Sequence, residues 1–212
     1  RDWSSDVCSS DLVLPIGIRE QRTRRVKTET LDVAVIGGGP AGLMAAERAA
    51  AAGARVAVFD ANASFGRKIL IAGKGGLNLT HGEPLPAFLQ RYAAAARWLA
   101  PHLEAFTPTD LRAFASGLEV ETFVGSSGRV FPRDLKAAPL LRRWLVRLRK
   151  QGVALHTRHR WLGSLRPNDL AFEGPEGRVE VSTSALVLAL GGGSWPRLGS
   201  DGAWVPALRN AG

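Results

Sequence analysis

The chain has 212 residues, of which 45% are hydrophobic and 22% charged, and this composition is typical of a globular protein with one or two domains. No apolar run approaches the ~18 residues that a membrane span requires, and no signal-peptide pattern is found, so we expect a cytoplasmic protein without a membrane partner. The single cysteine, Cys8, excludes disulfides, and it leaves residues 9–212 without a thiol nucleophile or a thiolate metal ligand.

The net charge of +9 permits binding to nucleic acid or to phosphate-bearing ligands. Most of the basic residues are arginines and alanine is abundant, so a bias toward GC-rich codons explains the charge equally well. We therefore do not expect a nucleic-acid partner from charge alone.

The first 30 residues are predicted to lie outside the fold. Residues 1–12 are polar and without periodicity, and resemble translated adapter sequence; residues 13–30 are basic and show no strong pattern. The only methionine, Met44, lies within a predicted helix, so residue 1 is not a natural start. We expect an artefactual or disordered segment over 1–30 and one domain over 31–212.

A glycine-rich turn at residues 37–42 is the strongest local signal. It follows the apolar β-formers of residues 33–36, which predict a strand buried in a parallel sheet. Gly37 permits the tight turn, Gly39 lets the backbone approach a pyrophosphate, and Gly42 allows close packing of helix on strand. The candidate pyrophosphate site is therefore this whole turn: Gly37, Gly38, Gly39, Pro40, Ala41 and Gly42.

An alanine-rich helix over 41–52 and a second buried strand over 56–59 complete a predicted βαβ unit. The helix start directs its N–H groups and its positive dipole end at the phosphates. Asp60 ends the second strand, and its carboxylate is expected to accept hydrogen bonds from both ribose hydroxyls of an adenosine.

A second glycine-rich segment follows at residues 66–80. It contains the basic pair Arg67 and Lys68, and a loop that carries Gly75 and leads to Asn78. Glycines let a backbone turn around a bulky ligand, and asparagine side chains bind ribityl or phosphate oxygens.

These motifs resemble those of the HI0933-like, or BaiN-like, family of NAD(P)/FAD-dependent oxidoreductases. The similarity rests on VIGGGPAGL at 35–43, GRKILIAGKGGLNLT at 66–80, GRVFPRDLKAAPLL at 128–141 and ALVLALGGGSWPRLGSDGAW at 185–204. The chain departs from many members at Gly76 and Leu77, where they carry Arg and Cys. Any role of that Arg or Cys is absent here.

The resemblance implies an α/β fold: a Rossmann-like FAD-binding domain of the glutathione-reductase type, with a parallel sheet, a βαβ start and a β-rich excursion. It implies FAD as the tightly held cofactor, with Gly37, Gly39 and Gly42 at the pyrophosphate and Asp60 at the ribose. The further cofactor residues that it implies are Arg67, Lys68, Gly75, Asn78 and Gly191.

By the same resemblance, the parent protein passes hydride from NAD(P)H through the flavin to an unknown small-molecule acceptor, and no catalytic residue is assigned. Family members continue beyond residue 212 with a lid or substrate domain and a segment that returns to the flavin. We therefore expect an incomplete domain that is inactive alone. The alternatives are a tRNA-modifying flavoprotein, a nicotinamide-only Rossmann protein and a non-catalytic dinucleotide-binding fragment.

The middle of the chain predicts helices over 85–119, a hairpin over 119–131 and an amphipathic helix over 138–151. The aromatic and leucine side chains of the first stretch, including Tyr92 and Trp98, are predicted to be core. Thr107 is predicted to cap a helix that Gly117 ends. The hairpin is expected either to carry Arg129, Arg133 and Lys136 toward the flavin or to leave them in solvent.

Several strands are predicted in the last third of the chain. A strand over 153–157 is expected to place His156 and His159 on opposite faces, which argues against a metal site. Strands over 170–173 and 178–182 follow, and a buried strand over 186–190 ends at Gly191, in the crevice where parallel sheets bind ligands. Ser200, Asp201 and Gly202 are expected to cap a short final helix.

Overall fold

The computed structural model of this protein describes residues 30–193, 195–199 and 201–210. The interpretation of residues 1–29 and the cap assigned to Ser200 lie outside these residues. The described strands are β1 (Leu31–Ile36), β2 (Val56–Asp60), β3 (Thr80–His81), β4 (Thr122–Val124), β5 (Arg129–Pro132), β6 (Ala154–Thr157), β7 (Arg160–Trp161), β8 (Leu170–Gly174), β9 (Gly177–Val181) and β10 (Thr183–Leu188). The helices are α1 (Pro40–Ala51), α2 (Arg67–Ala72), α3 (Leu85–Gln90), α4 (Ala96–Ala105), α5 (Pro108–Gly117), α6 (Ala137–Lys150) and α7 (Val205–Arg209).

A parallel sheet in the order β10-β1-β2-β6 positions the site. The predicted α/β class, the βαβ start and the buried strands β1 and β2 are confirmed, and Val35 and Val58 at the sheet centre are fully buried. Strand β10 starts and ends earlier than predicted, and Leu186 and Leu188 are only half-buried because β10 is an edge strand of the described sheet. All four strands run the same way, so their carboxyl ends share one edge.

Each face of the sheet is covered by a different layer. On one face, Leu43 of α1 packs in a cluster with Trp144 and Leu148 of α6. On the other face lies the antiparallel sheet β7-β8-β9, whose Phe172 stacks on Phe59 with ring centroids 4.2 Å apart. The predicted strand pair is confirmed in β8 and β9.

The amphipathic helix is confirmed in α6, which buries Leu141, Trp144 and Leu148. The same helix carries a run of basic residues: Arg142, Arg143, Arg147, Arg149 and Lys150. This run is only partly solvated, because Arg147 forms an ion pair of 3.0 Å with Glu47 of α1 and is 26% exposed. With 14 residues, α6 is the longest helix described. None of the helices in the described ranges has the length and apolarity of a membrane span.

The excursion between α2 and α6 contains helices and a small antiparallel sheet, β3-β5-β4. The hairpin is confirmed, and so is the helix start at Thr107, which exchanges hydrogen bonds with Asp110 of 3.1 and 2.8 Å. The predicted core position of the aromatic residues is wrong: Trp98 is 71% and Tyr92 37% exposed. Helices α3 and α4 pack mainly on each other, so their apolar spacing does not meet the sheet.

The predicted opposite placement of His156 and His159 is also wrong. Their rings lie 5.3 Å apart, centroid to centroid, and that of His156 stacks on Phe59. Strand β6 ends at Thr157, and Arg158 adopts a left-handed φ of 57°. The alternation of strand faces therefore stops before it reaches His159.

An exposed ion pair joins the start of β1 to the start of β2. The Asp32 carboxylate accepts hydrogen bonds from the side chain of Arg55, at 2.8 and 3.1 Å, and from its backbone N–H. These bonds, the side-chain ones foremost, lower the pKa of Asp32 from 3.8 to about 2.

This pair predicts a dependence of stability on pH. Because the folded pKa is the lower one, the contribution of Asp32 is complete above pH 3.8 and is lost as the pH falls through about 2. Urea unfolding is expected to show Asp32→Asn slightly less stable than wild type at neutral pH, with the difference vanishing near the folded pKa. If the difference in unfolding free energy between wild type and Asp32→Asn stays constant as the pH falls from neutral to about 2, the ion pair with Arg55 does not contribute as described.

Candidate nucleotide-binding site

A cavity of about 550 Å³ opens at the carboxyl ends of β1, β2 and β10. This is the edge at which parallel α/β sheets bind their ligands. Of the residues predicted for the cofactor site, those that line it are Gly37, Gly38, Gly39, Pro40, Ala41, Asp60, Arg67, Lys68 and Gly191. The fold therefore brings the glycine turn, the acidic residue and the basic pair around one space.

The three glycines of the turn meet different surroundings. Gly37 has a φ of +107°, and a Cβ there would overlap the carbonyl oxygen of Ala189 in the segment after β10. A Cβ on Gly42 would overlap the carbonyl oxygen of Gly37, so α1 lies directly against the turn. Gly39 has no heavy atom within 4 Å of its Cβ position and borders the cavity. Only Gly39 leaves room for a ligand to approach the backbone.

Helix α1 starts at this cavity. Gly39 is its N-cap and provides no side-chain cap, and Pro40 occupies the first turn. The first N–H groups of a helix have no partner within it, and they carry the positive end of the helix dipole. The start of α1 therefore presents both hydrogen-bond donors and positive potential to the cavity.

Asp60 borders the cavity directly beside the glycine turn and holds the turn in place. Its Oδ2 accepts the backbone N–H of Gly38 at 2.7 Å. Its Oδ1 accepts the backbone N–H of Asn62 at 2.7 Å and the side-chain amide of Asn62 at 3.0 Å. A carboxylate offers about four acceptor positions, so one remains for a ligand, on Oδ2. The expected bonding to ribose hydroxyls stays a prediction, and it has this one acceptor position available.

The basic pair lies at the start of α2, which begins at Arg67. Both Arg67 and Lys68 line the cavity. The Arg67 guanidinium donates a hydrogen bond from Nη1 to Oδ1 of Asn62. Asn62 therefore links the acidic and the basic side of the cavity.

Other predicted residues lie elsewhere. Gly42 packs behind the turn, whereas Gly75 and Asn78 are exposed and border no part of this cavity. The hairpin cations do not line the cavity either, and Arg133 pairs with Glu121 at 2.9 Å. Of the two positions expected for the hairpin cations, the structure has the one in solvent, because all three side chains are exposed.

The lining residues that were not predicted for the cofactor site are Asn62, Ser64, Gly66, Leu188, Ala189, Leu190, Gly199, Trp204 and Leu208. Gly66 donates its N–H to the carbonyl of Gly38 at 2.8 Å. Trp204 donates its indole N–H to the carbonyl of Gly191 at 3.0 Å, and it is the N-cap residue of α7 in place of the predicted Asp201 and Gly202. Gly66 and Trp204 lie in the segments 66–80 and 185–204 that carry the family resemblance, whereas Asn62 and Leu208 lie outside both.

A second cavity of about 640 Å³ adjoins the first and shares Asp60, Asn62 and Trp204 with it. Its other side is formed by His159 and Trp161, next to the β7-β8-β9 sheet. Among the described residues, no group of three or more His, Cys, Asp or Glu side chains has the geometry to hold a metal ion.

Comparison with solved structures shows a shared fold. The structure superposes on that of Thermovibrio ammonificans THI4 with a TM-score of 0.50 and 18% identity, covering 76% of this chain and 58% of that one. The E. coli quinol fumarate reductase FrdA gives a TM-score of 0.58 and 19% identity, with 79% and 33% covered. Mycobacterium smegmatis Sdh1 in complex with UQ1 gives a TM-score of 0.57 and 17% identity, with 79% of this chain and 35% of that one covered.

The chain thus spans less than two thirds of the length of each of these proteins. Its sequence matches the family model described as the HI0933-like protein Rossmann domain, over residues 31–212. The chain belongs to the HI0933-like family, and residues 31–212 are its Rossmann domain.

Proposed function

We propose that this chain is the FAD-binding part of a flavin-dependent oxidoreductase. In the whole protein, hydride passes from NADH or NADPH through the flavin to a small-molecule acceptor. The observation that carries the proposal is the cavity at the strand ends, where the glycine turn, Asp60 and Arg67 meet in a Rossmann domain of this family. The likeness of the fold to a quinol fumarate reductase supports the same class of reaction.

The residues of the cavity fit the adenosine diphosphate half of FAD. The open space at Gly39 and the uncapped start of α1 suit a pyrophosphate, which needs close approach and N–H donors. The remaining acceptor position on Asp60 suits a ribose hydroxyl, and Arg67 and Lys68 supply positive charge. The volume of about 550 Å³ lies within the ~300–1,000 Å³ usual for ligand pockets.

FAD, when bound, supplies the ring that accepts and donates hydride. The side chains of this domain bind and orient the dinucleotide, and Leu188 and Leu190 give the cavity an apolar wall. We assign no general acid or base to these residues.

The alternative of a tRNA-modifying flavoprotein is favoured by one observation, the exposed side chains of Arg142, Arg149 and Lys150 on α6. Arg143 and Arg147 of the same helix are engaged with backbone and with Glu47, so the cationic surface is smaller than the sequence indicates. Affinity for tRNA that falls steeply with salt would favour the alternative over a small-molecule reductase.

The first test of the proposal is an absorbance spectrum of the protein after incubation with FAD and desalting. We expect the near-ultraviolet and blue bands of flavin to remain with the protein, and anaerobic NADH or NADPH to bleach them in the whole enzyme. A colourless protein that instead retains NAD(H) would overturn the flavin assignment.

A further inference from the structure

Asn62 occupies a junction between four segments of the chain. Its backbone carbonyl accepts the N–H of Arg158, after β6, at 2.9 Å. Its side-chain amide donates to Asp60 of β2 at 3.0 Å and accepts from Arg67 of α2. A Cβ on Gly199 would lie 3.1 Å from its Nδ2, so the amide is also enclosed from the segment after β10. Asn62 lines both cavities.

The amide separates two opposite charges. Its N–H faces the Asp60 carboxylate, and its oxygen faces the Arg67 guanidinium. Only this orientation of the amide satisfies both neighbours, because a flip would set donor against donor and acceptor against acceptor. A carboxylate and a guanidinium that come within hydrogen-bond distance of each other form a strong bidentate pair.

The separation leaves binding capacity on both charged groups. Asp60 keeps one acceptor position on Oδ2, and Arg67 has committed one of its five N–H donors to Asn62. A direct bidentate pair between Asp60 and Arg67 would use two of those donors, the open position on Oδ2 and the Oδ1 position that the Asn62 amide now fills. Neither side chain would then be oriented toward a ligand in the cavity.

We propose that Asn62 is a positioning residue of the nucleotide site: it directs Asp60 toward a ribose hydroxyl and Arg67 toward the pyrophosphate, and it keeps the two from pairing. The inference rests on the proposed binding of FAD. By this inference Asn62 affects the affinity for FAD through Asp60 and Arg67, the charged groups that contact the ligand.

The test is a double-mutant cycle in FAD affinity, measured by quenching of flavin fluorescence. Asn62→Ala is expected to weaken FAD binding about 10- to 100-fold, as loss of a well-placed charged contact does. Arg67→Ala is also expected to weaken FAD binding. In the Arg67→Ala background, Asn62→Ala should lower FAD affinity by a smaller factor than it does in wild type, because Asn62 acts through Arg67. A role in folding alone would lower the free energy of unfolding and leave the FAD affinity of the folded protein unchanged.

Two further variants complete the test. Asn62→Asp has nearly the same shape, and it should weaken FAD binding at least about tenfold because it pairs with Arg67 and repels Asp60. Asn168→Ala, at an exposed asparagine that borders neither cavity, should leave FAD affinity unchanged.

The outcomes separate the two proposals. If wild type does not bind FAD, the proposed function falls and this inference falls with it. If wild type binds FAD while Asn62→Ala and Asn62→Asp bind it equally well, or if the cycle is additive, the positioning role is overturned and the proposed function stands.

Discussion

Gly42→Ala is expected to destabilise the protein by about 3 kcal/mol or more, the upper range for overpacking, and to abolish FAD binding. The new Cβ would overlap the carbonyl oxygen of Gly37 and lie 3.2 Å from the Cβ of Ala189. Neither neighbour is free to move. Gly37 donates to Phe59 at 2.8 Å, and Ala189 donates to Ile36 at 2.8 Å, so both are fixed to the sheet.

Urea unfolding of Gly42→Ala and Gly39→Ala side by side checks this result. Gly39 has a φ of −80° and an open Cβ position, so its substitution is expected to cost only about 1 kcal/mol, from the poorer N-cap. It should nevertheless weaken FAD binding at least about tenfold, because the methyl group stands where the pyrophosphate approaches. A wild-type unfolding midpoint for Gly42→Ala would show that α1 shifts at little cost.

Asp60→Ala is expected to combine a loss of stability of about 3 kcal/mol with a loss of FAD affinity of at least about 100-fold. The substitution removes the acceptor for three donors, and it leaves the N–H of Gly38 without its partner. A donor left unpaired costs more than an average hydrogen bond contributes. The glycine turn would lose its tie to β2, and the ligand its ribose contact.

Asp134→Ala is the matched control, because Asp134 is exposed and accepts one backbone bond, from Lys136 at 3.0 Å. It should change the free energy of unfolding by less than about 1 kcal/mol and leave FAD affinity unchanged. Calorimetry and flavin-fluorescence titration measure the two quantities. An Asp60→Ala protein that binds FAD as wild type does would show that the ligand does not use this carboxylate.

The glycine turn and its flanking elements could be predicted from the sequence because their causes are local. A Cβ on Gly42 would overlap the carbonyl oxygen of Gly37, only five residues earlier, and the positive φ of Gly37 belongs to the turn itself. The contact of Gly37 with Ala189 is the exception, because Ala189 is distant in sequence. The capping of α5 by Thr107 is equally local, since its partner Asp110 lies three residues away. Short-range geometry of this kind leaves a pattern in the chain that can be recognised without the fold.

Other features depend on which surfaces meet, and the sequence does not show this. The spacing around Trp98 predicts a helix correctly, but the face that carries it packs on nothing that buries it. His156 and His159 approach each other because Arg158 leaves the strand conformation. Asn62 belongs to no motif, and its place between Asp60 and Arg67 follows from the path of the loop.

The pairing of β1 with β10 has a consequence for how the domain is made. It joins Leu31, near the start of the described chain, to Thr183, near its end, and the segment after β10 closes one wall of the cavity through Ala189. During synthesis the ribosome must release nearly all of this chain before that wall exists. Contacts so distant in sequence slow folding. The glycine turn therefore forms early in synthesis, but its cavity is completed only after β10 has been synthesised and has paired with β1.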